Sequence, residues 1–248
     1  RKWMLAQSSS EEMKEFRNKL LNVFTKNEAK EWIGRNEIES LFYKHKGLNK
    51  ARCVVAVDLS VSDDFSAVTY LFHLPNRYHK KKFAPFHSIT EYFIPEATLQ
   101  KHPNRELYKR WVENGHLRVM KGKTIDYNFL SNDILKHPYV IMGLGYDPYK
   151  SKEFLKNFVA AGLEEYLYPI KQTYGEFTSY VEAMELAVFN DQMTFDPNPI
   201  TAYCFENAVI DEDRLENRKP IKENANDKID GAITNVMGFW MMNNIKTQ

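Results

Sequence analysis

The stretch Cys53-Val54-Val55-Ala56-Val57-Asp58 decides the fold. An unbroken apolar run, without the alternation of a half-exposed strand, suits a strand covered on both faces. It ends in an acid, and the carboxyl end of a central strand is where open α/β sheets place their sites. A second run, Tyr139 to Tyr146, has the same form and ends in Asp147-Pro148. If the two strands are neighbours, their carboxylates converge. Taken singly, each acid also suits a turn or a helix cap.

Working outward, residues 66–73 and 87–94 read as two further strands joined by a basic loop, 75–86, which makes a three-stranded antiparallel meander with the first. Downstream the pattern alternates: helix 105–114 stopped by Gly115, strand 117–120, helix 127–136, strand 139–146, helix 151–161, strand 166–170, helix 177–190, strand 193–195 and helical patterns over 200–209 and 228–242. Three strands followed by alternating helices and strands predict a mixed sheet covered on both faces, the order of an RNase H-like α/β domain. Upstream, Met13, Phe16, Leu20 and Val23 recur at helical spacing behind the cap-like Ser9-Ser10-Glu11-Glu12, and a second helix is expected over 30–43. The Lys-rich residues 44–50, with Gly47, read as a hinge. The expected division is therefore a helical linker segment, 1–50, and an α/β domain, 51–248.

The third informative acid lies in Asn226-Asp227-Lys228-Ile229-Asp230-Gly231-Ala232. On the closing helix Ile229, Ile233, Val236, Met237 and Trp240 form an apolar stripe, and Asp227, Asp230 and Thr234 an adjoining polar one. A helix dipole favours acids in the first turn, which accounts well for Asp227. It accounts less well for Asp230, because Gly231-Ala232 beside it leaves room for the close approach of a metal or a strand. Asp58, Asp147 and Asp230, without His or Cys, suit a hard cation such as Mg²⁺ or Mn²⁺. Two such ions roughly 3.5 to 4 Å apart can activate water and stabilise the leaving oxygen of a phosphodiester.

Charge is nearly balanced, with 34 Lys and Arg against 33 Asp and Glu, so bulk electrostatics does not announce a nucleic-acid binder. It is uneven, however. Arg77, Lys80, Lys81 and Lys82 in the basic loop are candidates for DNA phosphate contact over an acidic cleft, and a solvated hairpin tip is the alternative. Lys121 and Lys123 bracket Gly122 in a further loop. Cys53 and Cys204 form no CxxC or Cys/His cluster and read as buried free thiols of a reducing compartment. No apolar run approaches the roughly 18 to 20 residues that span a bilayer, which predicts a soluble, intracellular protein.

Several of these segments resemble the large terminase subunits of tailed phages. Phe16-Arg17-Asn18-Lys19-Leu20-Leu21-Asn22 is similar to the linker motif after that family's ATPase domain. Val57-Asp58-Leu59-Ser60 with Asp64-Phe65-Ser66-Ala67, Tyr146-Asp147-Pro148, Asn207-Ala208-Val209, Lys219-Pro220-Ile221-Lys222 and Lys228-Ile229-Asp230-Gly231-Ala232 follow in order. The resemblance implies an RNase H-like nuclease that cuts concatemeric double-stranded DNA during packaging. Asp58, Asp147 and Asp230 would be its metal ligands, with Asp64 and Asp227 as supporting acids. It also implies a portal protein, a small terminase subunit and an ATPase domain of the same full-length protein as partners, in the cytoplasm of an infected host. No GxxxxGK[ST] loop occurs, so motor activity is not carried over. A resolvase- or transposase-type nuclease would share the acidic triad. A non-catalytic DNA- or portal-docking module would use the same acids as caps.

Overall fold

β1 (Arg52–Asp58) is buried on both faces because alternate side chains enter different cores. Val54 and Ala56 point into one apolar cluster and Cys53, Val55 and Val57 into another. β2 (Ser66–His73) and β5 (Phe86–Pro95), joined through the paired two-residue strands β3 (Tyr78–His79) and β4 (Lys82–Phe83), complete the antiparallel meander, with Asp58 opposite Ala67 and Ser66 opposite Phe93. The computed structural model describes residues 32–61, 64–76, 78–79, 82–149, 151–224 and 226–245. The reading of residues 9–29 and of Phe16 to Asn22 lies outside them.

On the far side of β1, β7 (Val140–Tyr146) pairs in parallel, and β8 (Leu167–Pro169) pairs in parallel with β7. β6 (Leu117–Met120) and β9 (Met193–Phe195) both run parallel to β5, one against its end and one against its start. The order across the sheet is β6-β5-β2-β1-β7-β8. β2 therefore runs against all the others, and one edge of the sheet collects the carboxyl ends of β1, β5, β6 and β7.

Helices cover both faces. α1 (Arg35–Ser40), α6 (Tyr174–Phe189), α7 (Pro199–Glu206) and α8 (Asp230–Asn244) pack on one, around Ile38, Val181, Phe205 and Val236. α4 (Tyr127–Leu135) and α5 (Lys152–Ala160) close the other through Leu130, Ile134, Phe154 and Phe158. Beside β6, α2 (Glu96–Lys101) and α3 (Arg105–Glu113) lie near a third cluster that includes Phe65, Tyr92, Tyr108 and Trp111. Cys53 and Cys204 are both buried free thiols. Among the described residues no helix is long and apolar enough to cross a membrane.

Three expectations are corrected. The helix expected over 200–209 stops at Glu206, and β10 (Ala208–Glu212) with β11 (Arg218–Lys222) forms a hairpin. Its turn is built on Asp213, whose Oδ1 accepts from the amides of Leu215 and Asn217, an Asx-type closure that local hydrophobic periodicity does not reveal. Of the helix expected over 30–43, the described residues 32–43 form only α1, because Leu41 and Tyr43 turn to bond Phe195 at the edge of the sheet. Ile33, Ile38 and Leu41 are buried in the main core.

The third correction concerns α8, which is buried almost all round rather than amphipathic. The stripe carrying Thr234 faces the sheet: Thr234 Oγ1 lies 2.7 Å from Thr69 Oγ1, which in turn lies 2.8 Å from Thr90 Oγ1. Asn235 accepts from Ser88 Oγ at 2.6 Å. These small polar side chains satisfy one another, so the helix can approach the strands without leaving hydroxyls unpaired. Gly143 and Gly145 help on β7, since a Cβ at either would meet Met241 of α8 at 2.9 Å.

Candidate metal centre

Val57 pairs in parallel with Tyr146, so Asp58 and Asp147 leave adjacent strands at the same level. The convergence expected if the two strands were neighbours follows from this register. Asp64 arrives from the loop between β1 and β2. That loop is pinned by Ser60, whose amide donates to Ser66 Oγ at 3.0 Å and whose hydroxyl donates to the Asp64 carbonyl at 2.7 Å. Tyr127 of α4 also donates to the Ser60 carbonyl at 2.9 Å. Asp230 opens α8, across the same edge.

Asp58, Asp64 and Asp230 line one open depression of about 310 Å³ together with Gln172, Lys219 and Lys222. Asp147 stands beside it, acting on Asp58 through its charge, while its Oδ1 accepts from the Tyr149 amide at 2.8 Å. Asp227 is turned away: its Oδ2 accepts from the amide and side chain of Asn224 at 3.0 and 2.9 Å, closing the turn before α8. The loop that carries Arg77, Lys80, Lys81 and Lys82 leaves the sheet at His73 and returns at Phe86, the end opposite to Asp58, because β2 runs antiparallel to β1. Overhang of the acids from that loop, as expected above, conflicts with this topology. Arg77, Lys80 and Lys81 themselves lie outside the described residues, as does the Lys82 side chain.

Burial, then the charges of Asp64 and Asp147, pushes the Asp58 carboxyl up to about 7, opposed by Gln172 and Lys219. Asp230 is raised for the same reasons, burial first and then Asp64 and Asp58. Its Oδ2 is buried without a hydrogen-bond partner. A buried carboxylate oxygen left unsatisfied among other carboxyls is costly, and a divalent cation would relieve both the burial and the repulsion. Among the described residues, no three His, Cys, Asp or Glu side chains stand close enough together to enclose an ion as they are placed. The donor set, all oxygen, nevertheless fits a hard cation.

Sequence reasoning assigned no role to the cations here. Lys228 Nζ lies 2.7 Å and Lys222 Nζ 3.1 Å from the two oxygens of Asp64. Lys219 Nζ donates to the Gln172 carbonyl at 2.7 Å, and Gln172 Nε2 lies 3.5 Å from Asp58 Oδ1. Lys219 and Lys222 reach the acids because the hairpin folds back along that edge. Nothing local marks Gln172, which follows β8.

The sequence matches the family model described as Terminase large subunit, endonuclease domain, over residues 4–245. The chain belongs to this family. It is 27% identical to the terminase large subunit of Enterobacteria phage HK97 over 161 residues, 63% of this chain and 32% of that protein. It is also 27% identical to protein YmfN of Escherichia coli strain K12 over 205 residues, 75% of this chain and 42% of that one. The chain thus spans under half the length of these curated relatives. Among solved structures, the HK97 large terminase superposes with a TM-score of 0.73 at 23% identity, covering 95% of this chain and 48% of that one. The large terminase nuclease of thermophilic phage G20c superposes with a TM-score of 0.54 at 10% identity, covering 84% of this chain and 96% of that one. Its cobalt-bound form gives 0.51 at 9% identity, covering 87% of this chain and 98% of that one. These likenesses establish the fold, a mixed sheet flanked by helices as in terminase nuclease domains.

Proposed function

We propose that this terminase domain is a metal-dependent endonuclease that cuts concatemeric double-stranded DNA during phage genome packaging. The observation that carries the reading is the gathering of Asp58, Asp64 and Asp230 in one depression, with Asp147 beside Asp58 and a buried Asp230 oxygen lacking a partner. Family membership and the cobalt-bound G20c nuclease of similar fold support it. The strand order is consistent with the RNase H-like type.

In this reading Asp58, Asp147 and Asp230 hold two divalent cations, Mg²⁺ or Mn²⁺. Bound ions would activate water and stabilise the leaving oxygen of a phosphodiester. The protein's own part is positional. β1 and β7 set two carboxylates side by side, Lys222 and Lys228 anchor Asp64, and Lys219 places positive charge at the rim where a phosphate would approach. Asp227 serves the turn before α8. Arg77, Lys80, Lys81 and Lys82 would meet DNA away from the acids. Residues 1–50 would lead from an ATPase domain supplied by the longer protein. Portal and small subunit would be further partners, in the cytoplasm of the infected host.

The test is plasmid nicking by the purified domain with Mn²⁺ or Mg²⁺ and with EDTA, for the parent and for Asp58→Asn, Asp147→Asn and Asp230→Asn. The parent should nick only with metal, and each variant should lose about two or more orders of magnitude while remaining folded. An intact plasmid with every metal would favour a docking module instead. Nicking in EDTA, or unimpaired nicking by a variant, would remove the metal reading or that residue's role.

A further inference from the structure

The edge that carries the acids also carries the ends of β5 and β6, and both strands deliver lysines there. α2 continues directly from β5 and ends in Lys101; the loop after β6 holds Lys123. This frame is braced. The Ala97 amide donates to the Gly122 carbonyl at 3.1 Å, with Gly122 at a φ of +99° that favours glycine, and the Ile125 amide donates to the Val61 carbonyl at 3.1 Å. Between the two lysines lies an open depression of about 370 Å³, also lined by Thr98, His102, Pro103 and Asn226.

Lys101 and Lys123 differ from the lysines beside the acids. Lys222 and Lys228 are engaged by Asp64, whereas Lys101 and Lys123 are exposed and have no ion-pair partner among the described residues. No Asp or Glu lines the groove among the described residues; Asp227, next to Asn226, accepts from Asn224 instead, and Glu96 of α2 is not part of the lining. The groove and the acid site share a wall. Asn226 lines the first, and two residues later Lys228 binds Asp64, which lines the second. A concave surface on a braced backbone, with two exposed ammonium groups next to the acid site, fits a polyanion whose charges repeat along its length.

We propose that the groove between Lys101 and Lys123 seats the sugar–phosphate backbone of duplex DNA next to the scissile position, each lysine contacting a phosphate. The assignment rests on the nuclease reading. It makes this edge, rather than the 75–86 loop, the approach to the acids.

The test compares the parent, Lys101→Ala/Lys123→Ala and Lys101→Arg/Lys123→Arg with a fluorescent duplex in EDTA over a range of salt, alongside Mn²⁺-dependent nicking of plasmid. Two lost phosphate contacts should reduce the slope of log affinity against log salt by about two units. KM should rise while kcat stays within about twofold, and the arginine pair should restore both. Unchanged affinity, slope and KM in a parent that binds and nicks would overturn the groove and leave the nuclease reading standing. A parent that binds duplex without nicking would sink the nuclease reading, and the slope difference would still decide the groove. A parent that does not bind duplex at all would overturn the groove.

Discussion

Lys228 Nζ lies 2.7 Å from Asp64 Oδ1, with the lysine buried and the aspartate about a quarter exposed at 29%. The ammonium also stands 5.8 Å from the centre of the Phe65 ring. The pair ties the loop after β1 to the segment that opens α8, so it spans the two elements that bring Asp58 and Asp230 together.

Replacing Lys228 by Met should therefore lower stability by about 1 to 3 kcal/mol, less than the ~3 to 5 kcal/mol of a fully buried pair because Asp64 keeps Lys222 and some water. Asp64→Asn should cost as much or more, since it deprives a buried ammonium of its carboxylate. In urea denaturation the double variant should lose less than the sum of the two. Strictly additive losses would show that the pair contributes nothing of its own.

Without metal, the protein should become less stable as pH rises from about 4 to about 7. The Asp58 carboxyl is pushed up to about 7 in the folded state, and Asp230 is also raised, each first by burial. Their ordinary range when unfolded is about 4. Between those limits the folded state binds more protons than the unfolded one, so this contribution is fully present below the window and is lost as pH passes through the folded value. Asp58→Asn should flatten the curve. Urea midpoints in EDTA for parent and variant give the difference directly, and identical pH profiles would refute it. Added Mn²⁺ should stabilise more at high pH than at low, because ligands must be deprotonated to bind.

Gly231 is the neighbour of Asp230 whose small size matters most. A Cβ there would run into the Tyr92 hydroxyl and lie 2.9 Å from its ring carbons, and that hydroxyl is 2.9 Å from Thr201 Oγ1. Gly231→Ala should cost about 1 to 3 kcal/mol through overpacking and should displace Asp230, lowering metal-dependent nicking together with melting temperature. Tyr92→Phe on that background should recover part of both. Full stability of Gly231→Ala would mean that α8 does not depend on this close approach.

The positions of the acids at the two strand ends were legible because each signal is local. An apolar run long enough for one strand, ending in Asp58 or Asp147, carries its own direction, and a carboxylate at the carboxyl end of a buried parallel strand has one edge to point to. Most element positions followed from periodicity for the same reason. Gly231 beside Asp230 was legible as a place of close approach, and it is the strand residue Tyr92 that approaches.

Only the tertiary structure decided the surroundings of those acids. Hairpin β10–β11 was hidden because its turn depends on side-chain acceptance by Asp213, and the Lys219 and Lys222 it delivers are far from the acids in sequence. The burial of Thr234 and Asn235 was hidden because small polar residues read as a solvent face until their strand partners Thr69, Thr90 and Ser88 are placed opposite them. The basic loop 75–86 and the lysines at 101 and 123 look alike as charges along a chain. Strand direction separates them: β2 carries its loop to the far edge, while β5 and β6 bring Lys101 and Lys123 to the edge of Asp58, and direction within a sheet is fixed by pairing between distant segments rather than by any local pattern.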